Sequence, residues 1–335
     1  MNKPDESVRL CPVCRSSNFS SWYDVTYEFI IENWNYDADY LRKYDFHKDS
    51  VIQIVRCNDC SMYYNRTHWG WAYKDNDINH TEKLPPLINS NIKKSTSNFH
   101  LVSRILNYYM HKINKKKFSD ADLKVLDFSC FTGLLLRQLW AFGIRNLYGY
   151  DILKGPEDNF EIPNVDYTYN DLDLLETKGP FDIIINQASL EHYDDPLEVL
   201  KKLRALLSPG GILVIGAPTL NYYQFPFFKW ANLRKGRAKS YFHAKHINHF
   251  SVKTFSKILQ NAGLKILPVT MTFPSHIDYL DWNELQTIYH SARTAIITLV
   301  RVIISYPFFI FNWYPELFMH LYFSSYFICK RGSEK

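Results

Sequence analysis

Two pairs of cysteines, Cys11-Pro12-Val13-Cys14 and Cys57-Asn58-Asp59-Cys60, have the type and spacing that point most directly to chemistry. Each C-x-x-C pair sets two thiols at the tip of a tight turn, and two such turns face to face close a tetrahedral zinc site. Four protein ligands leave no open coordination position. Cys11, Cys14, Cys57 and Cys60 therefore predict a structural metal that stands in for a core too small to hold itself together, with catalytic zinc as the minor alternative. Redox chemistry would need a thioredoxin-like βαβ setting, which surrounds neither pair. His47 and His68 are the available substitute ligands. Residues 15–56 separate the pairs, a longer interval than in most ribbons, and carry Trp22, Tyr23, Trp34, Tyr36 and Tyr40, so a small aromatic subdomain is expected between the knuckles. Cys130 and Cys329 stand alone.

A second constellation begins at Val125-Leu126-Asp127-Phe128-Ser129-Cys130-Phe131-Thr132-Gly133, an apolar run that turns into a helix from about Leu134 to Phe142. The start of that helix offers backbone N–H groups and a positive dipole end to an anion. Tyr148-Gly149-Tyr150-Asp151 ends a second apolar run on an acid. His192 follows a further run, Phe181 to Asn186, and His246 and His249 precede a helical segment that opens at Ser251. Histidine titrates near neutral pH and suits proton removal. Its alternative roles here are hydrogen bonding within the Glu191-His192 loop and capping or shaping by the His246/His249 pair; His243 is a fourth candidate.

In this order the segments resemble the motifs of class I S-adenosylmethionine-dependent methyltransferases. Residues 125–133 resemble motif I, an acid followed by G-x-G-x-G; Asp151 resembles the ribose-binding acid, and Asn170-Asp171-Leu172 the adenine-side turn. Phe181 to Asn186 resembles strand four, and Leu190-Glu191-His192, the Pro209-Gly210-Gly211 turn and His246 to Ser251 complete the likeness over about residues 98–272. The resemblance implies S-adenosylmethionine as cofactor, held by Asp127, Ser129, Phe131, Gly133, Asp151, Asp171, Leu172, Asn186 and Gln187, with His192, His246 and His249 as catalytic candidates. The pattern departs from the family where Ser129 and Phe131 replace the first two glycines. Glycine serves there for backbone freedom and close ligand approach, so cofactor binding turns on which way Phe131 points. With the zinc ribbon, the resemblance is to methyltransferase-23-like enzymes of cell-surface saccharide or natural-product assembly. It implies O-methylation of a small or saccharide acceptor, which is the only basis for that acceptor. An RNA methyltransferase using the ribbon as a clamp, and a catalytically silent methyltransferase-fold binding protein, are the competing readings.

These residues need a scaffold to hold them. Of 335 residues, 46% are hydrophobic, and 24 Tyr, 23 Phe and 8 Trp supply a large core. The net charge of +5 is spread widely apart from Lys115, Lys116 and Lys117, and Asp24, Glu28, Glu32, Asp37 and Asp39 lie between the cysteine pairs, which argues against a nucleic-acid partner. Strand-like runs alternate with helical patterns, so the fold class is α/β, a Rossmann-like doubly wound sheet with a small N-terminal zinc-binding module and a C-terminal apolar helical insert. Phe99, Val102, Ile105, Leu106, Tyr109 and Ile113 mark a helix leading into the sheet; Pro196 to Leu207 and Ser251 to Ala262 read as crossover helices. The expected domains are 1–66 for the zinc module, 67–97 for a linker, 98–272 for the core, and 273–335 for an apolar segment that ends in a strand near Tyr322 to Lys330. From Ala295 to Trp313 a single charge, Arg301, and Pro307 interrupt an otherwise apolar stretch. A helical lid ranks first for it, peripheral membrane contact through 295–314 second, and a span third. The polar start, Met1 to Leu10, with Asp5 and Glu6, gives a cytoplasmic expectation, with the inner membrane face as a peripheral alternative.

Overall fold

Phe181–Gln187 and Leu207–Pro218 bury Ile183 to Asn186 and Gly211 to Ala217 without a break, and both strands lie at the centre of the larger sheet, where a strand is covered on two faces. The computed structural model describes residues 9–34, 38–43, 46–67, 123–131, 133–141, 143–152, 165–219, 246–267, 271–273 and 324–332. The helix expected over 99–113, the lysines at 115–117, His68, His243 and the apolar segment 295–314 lie outside the described residues.

In chain order the elements are β1 (Phe19–Thr26), α1 (Tyr27–Trp34), α2 (Ala38–Lys43), β2 (Val51–Cys57), β3 (Tyr63–Asn65), β4 (Val125–Phe128), α3 (Leu134–Ala141), β5 (Leu147–Asp151), β6 (Val165–Tyr169), α4 (Leu172–Lys178) and β7 (Phe181–Gln187). A single 3-10 turn, Leu190–His192, follows, then α5 (Pro196–Leu206), β8 (Leu207–Pro218), β9 (Asn248–His249), α6 (Val252–Asn261), β10 (Leu264–Ile266), β11 (Met271–Phe273) and β12 (Ser324–Arg331). The larger sheet has the order β10-β12-β8-β7-β4-β5-β6, with β11 also beside β12. Its strands β8, β7, β4, β5 and β6 run parallel, and β12 lies antiparallel to β8. From β4 the chain winds outward to β5 and β6 and then returns to β7 on the other side of β4, which puts the topological switch point between β4 and β7.

Alternation along the strands divides the core. Leu126, Ile184, Leu213 and Phe327 belong to one buried cluster, and Val125, Ile183, Ile185, Val214 and Ile328 to the other. The first cluster also takes in Cys11, Val13, Met62 and Tyr64, so the cysteine-bearing module shares a core with this face. Helix α5 begins where Asp195 accepts from the Glu198 amide and Pro196 fills the first turn. It then buries Leu197, Leu200, Leu203 and Leu206 at three-residue steps. Truncating the fully buried Leu203 to Ala would cost about 2–5 kcal/mol. A capping box of Ser251 and Thr254 starts α6 as the sequence indicates. Ser208-Pro209-Gly210-Gly211 belongs to β8, because the strand begins directly at Leu207. At Gly211 a Cβ would lie 2.8 Å from the Phe181 carbonyl oxygen, so close approach to β7 requires glycine.

The smaller sheet has the order β1-β2-β3-β9. Its fourth strand comes from the far side of the sequence: Tyr63 pairs with His249 and Tyr64 with Asn248. Among the described residues no helix is long and apolar enough to cross a membrane.

Candidate functional site

Both knuckles are built alike. The Arg15 amide donates back to the Cys11 carbonyl and the Ser61 amide to that of Cys57, with Arg15 and Ser61 left-handed at φ 62° and 67°. Four sulfurs converge. Cys11 and Cys60 Sγ lie 3.4 Å apart and Cys14 and Cys57 Sγ 3.5 Å, with all four within 4.8 Å of one another. A disulfide would bring sulfurs to about 2 Å, whereas thiolates about 2.3 Å from a tetrahedral zinc sit about 3.8 Å apart. The observed spacing is far too long for disulfides and close to what four thiolates around one metal ion would show. The hydrogen bond from Cys11 pulls the Cys60 thiol down to about 5, and the same contact with burial pushes Cys11 up.

The module is tied to the larger sheet by a buried guanidinium. Arg9 donates to the carbonyls of Asn65 (3.0 Å), Ile247 (3.1 Å) and Asp194 (3.2 Å) and to Asn248 Oδ1 (3.0 Å). Arg15 adds a bidentate pair with Asp195, and Asn261 Nδ2 donates to the Val13 carbonyl at 2.8 Å.

At the carboxyl end of β4 the chain turns through Ser129 (φ 70°), Phe131 (φ 46°) and Gly133 (φ 71°). These are the three positions at which the resemblance expects glycine. Two of them hold the left-handed backbone with side chains attached, at about 1–2 kcal/mol each. Hydrogen bonds fix the path: the Ser129 and Cys130 amides donate to the Tyr150 carbonyl at 2.7 and 3.0 Å, and the Phe131 amide to Asp151 Oδ2 at 2.8 Å. The Phe131 side chain is half exposed, and Ser129 Oγ lies 3.0 Å from the Tyr193 hydroxyl, whose own proton burial holds tightly. Burial and then the neighbouring Asp151 charge push Asp127 up to about 8.

The remaining expected cofactor residues occupy the same edge with different tasks. Asp171 caps α4, accepting from the Leu174 amide at 2.8 Å, and Leu172 opens that helix. Asn186 Nδ2 donates to the Phe128 carbonyl (3.0 Å) and Ser189 Oγ (2.6 Å). Asn186 Oδ1 and Gln187 Nε2 are buried without a hydrogen-bond partner among the described residues. Orphaned polar atoms beside a glycine-like loop are what a polar ligand at the switch point would satisfy.

Past β7, the 3-10 turn presents Glu191 and His192, and the Ile247 amide donates to the Glu191 carbonyl at 3.0 Å. That bond brings His246 alongside: the His192 and His246 rings meet edge to face with centroids 4.8 Å apart. The Glu191 carboxyl is 1% exposed, neither oxygen has a hydrogen-bond partner among the described residues, and burial raises it to about 8. His249 is elsewhere. It is buried, Nε2 lies 3.1 Å from Asn65 Oδ1, and burial with the Arg9 charge lowers it to about 3. Sequence reasoning brought His192 and His246 forward but passed over Glu191 and Arg9; a carboxylate directly before His192 was the available signal for the first, and nothing local marked the second.

A family model described as a methyltransferase domain matches residues 96–269, more than half of the chain. The chain belongs to this methyltransferase domain family. Its larger sheet, with Asp151 ending the strand beside β4, is the Rossmann-like class I methyltransferase fold. Ubiquinone biosynthesis O-methyltransferase of Ruegeria pomeroyi is 31% identical over 101 residues, 28% of this chain and 40% of that protein. The protein of that name from Nitrosococcus oceani is 35% identical over 102 residues, 27% and 42% of the two chains. This chain thus spans about two fifths of the length of those relatives. Among solved structures, an S-adenosylmethionine-dependent methyltransferase from Mesorhizobium loti superposes with TM-score 0.41 at 16% identity, covering 71% of this chain and 99% of that one. Magnesium protoporphyrin IX methyltransferase from Synechocystis, solved with SAH, gives 0.41 at 18% identity, covering 76% and 91%.

Proposed function

We propose that this protein transfers the methyl group of S-adenosylmethionine to a hydroxyl of a small or saccharide acceptor, with a structural zinc ion on Cys11, Cys14, Cys57 and Cys60. The observation that carries the reading is the left-handed alternation at Ser129, Phe131 and Gly133, closed onto Asp151 by the Phe131 amide. A chain with no use for a ligand there would gain nothing from strain at two residues. The half-exposed Phe131 ring leaves the backbone path of the loop available, and the relatives named above are O-methyltransferases by name, which favours oxygen as the acceptor atom.

S-adenosylmethionine supplies an electrophilic methyl group on a sulfonium. The chain's own residues bind and orient. Gly133 and the start of α3 face the amino-acid end, Asp151 takes the ribose side, and the orphaned Asn186 Oδ1 and Gln187 Nε2 lie where further polar contacts are needed. His192 and His246 position the acceptor hydroxyl and draw on its proton as the methyl arrives. His249 supports them from β9 through Asn65. The zinc module acts through Arg9, which grips the chain on both flanks of the Glu191–His192–His246 cluster, at Asp194 and Ile247.

Calorimetric titration with S-adenosylmethionine, followed by mass spectrometry of hydroxylated acceptors, tests this. Asp151→Ala is expected to weaken cofactor binding by about 10–100-fold, the worth of hydrogen bonds to a charged group. Absence of any heat or thermal shift with the cofactor would refute the reading.

A further inference from the structure

We infer that Glu191, His192 and His246 form a second divalent-metal site, distinct from the cysteine cluster and built from two imidazoles and one carboxylate. Three donor atoms, one from each residue, lie within 4.8 Å of one another. Glu191 Oε1 is 3.9 Å from His192 Nε2 and 3.8 Å from His246 Nε2. Those separations are more than half an ångström too long for hydrogen bonds, which reach about 3.2 Å. Donors about 2.1 Å from one tetrahedral ion would stand about 3.4 Å apart, so an ion between them would draw these groups together by about half an ångström.

The carboxylate supplies the independent observation. Glu191 is 1% exposed, it meets the two imidazoles only at 3.8–3.9 Å, and neither oxygen has a hydrogen-bond partner among the described residues, so the fold carries the cost of a buried, unsatisfied carboxyl. A cation at the point where both Nε2 atoms converge removes that cost. The fold fixes the three groups firmly for the purpose. Glu191 and His192 are adjacent in one 3-10 turn, the Ile247 amide pins His246 to the Glu191 carbonyl, and Asn248 Nδ2 donates to the carbonyls of Leu190 (3.3 Å) and Tyr193 (2.6 Å).

Two nitrogens and one oxygen suit borderline transition ions such as Zn²⁺, Co²⁺, Fe²⁺ or Mn²⁺ better than Ca²⁺ or Mg²⁺. Three protein ligands also leave coordination positions open, unlike the closed cysteine cluster. His192 and His246 are 24% and 20% exposed, so the open side faces out from the buried carboxylate. An ion there would bind an oxygen ligand, and because it takes up both Nε2 atoms, the imidazoles would hold the ion and would not themselves take the acceptor's proton. The site itself rests on the described residues and not on methyl transfer, and its test reads metal rather than turnover.

The full chain, purified with its cysteine site as isolated, is titrated with Co²⁺ and followed by absorption and by metal analysis per chain. One further equivalent is expected to bind with weak d–d bands and no thiolate-to-cobalt charge-transfer band. Ligand-supporting residues are worth about 10–100-fold in metal affinity, so loss of a direct ligand in Glu191→Gln, His192→Asn or His246→Asn should weaken uptake by more than about a hundredfold. Glu191→Gln preserves shape, and an unchanged far-UV spectrum with intact metal at the cysteines separates ligand loss from unfolding. Uptake that survives all three substitutions, uptake that carries only the thiolate band, or no saturable uptake at all overturns the proposal.

Discussion

Replacing Arg9 by Met tests whether one buried guanidinium couples the cysteine module to the catalytic edge. The side chain is 5% exposed and serves four acceptors at 3.0–3.2 Å: three carbonyls, of Asn65, Asp194 and Ile247, and the Asn248 side chain. Burial lowers its pKa only to about 10, so it is charged at neutral pH. Methionine fills much of the stem's volume and removes every donor. Each buried acceptor left unpaired costs about 1–3 kcal/mol; the Ile247 carbonyl keeps the Asn65 amide and water entering from the Asp194 side recovers part of the rest, so a net loss of about 3–5 kcal/mol is expected. For a domain of this size that corresponds to a drop in Tm of roughly 6–15 °C. Urea unfolding gives the free energy, and hydrogen exchange gives its location: the amide of Asn65, which bonds the Ile247 carbonyl, and that of Ile247, which bonds the 3-10 turn at Glu191, should lose protection before those of β7 and β8. Arg9→Lys, a point charge that can reach only some of the four acceptors, should fall between the two. A loss below about 1 kcal/mol, or uniform loss of protection, would show that shared apolar packing holds the module and that the guanidinium does not.

Phe131→Gly relieves a left-handed residue at the expense of a freer unfolded chain, and since the ring is half exposed a net gain of up to about 1 kcal/mol is expected in thermal unfolding, with cofactor affinity retained or improved. Cys57→Ser should abolish zinc retention by metal analysis and release Trp22 from its edge contact with Tyr63, seen as a fluorescence shift. His249 has a folded pKa near 3 against an ordinary value of 6.5, so the neutral ring's contribution is present above about 6.5 and lost as pH falls toward 3; His249→Gln should flatten that acid limb in stability measured against pH. Asp127 works in the opposite sense: its folded pKa near 8 means stability present below about 4 is lost as pH rises to 8, and Asp127→Asn should gain on the wild type across that window.

Much of this protein was legible along the chain because the relevant physics is local. Thiols two residues apart on a tight turn, an acid ending an apolar run, a proline or serine at the first turn of a helix and leucines at helical spacing act through neighbours in sequence. Cys11 to Cys60, Asp151, α5 and α6 were accordingly placed from the sequence. Motif I was legible by position but not by conformation. Only the hydrogen bonds to Tyr150 and Asp151 show that Ser129 and Phe131 keep the backbone that glycine would adopt freely.

What tertiary structure alone decided depends on contacts between residues far apart in the chain. Nothing in the run of residues separates His246 from His249, three positions on. Pairing of β9 with β3 sends His249 inward to Asn65, where burial removes its charge, and leaves His246 against Glu191 and His192. Glu191 stood in the sequence only as the neighbour of His192 until its burial beside two imidazoles gave it a meaning, and Arg9 carried no signal until acceptors from β3, β9, Ile247 and the loop at Asp194 closed around it. Residue type and spacing determined which chemistry this chain carries. Which of those groups meet, and which are silenced by desolvation, was decided by strand pairing across nearly two hundred residues, because burial and proximity belong to the packed molecule and to no segment of it.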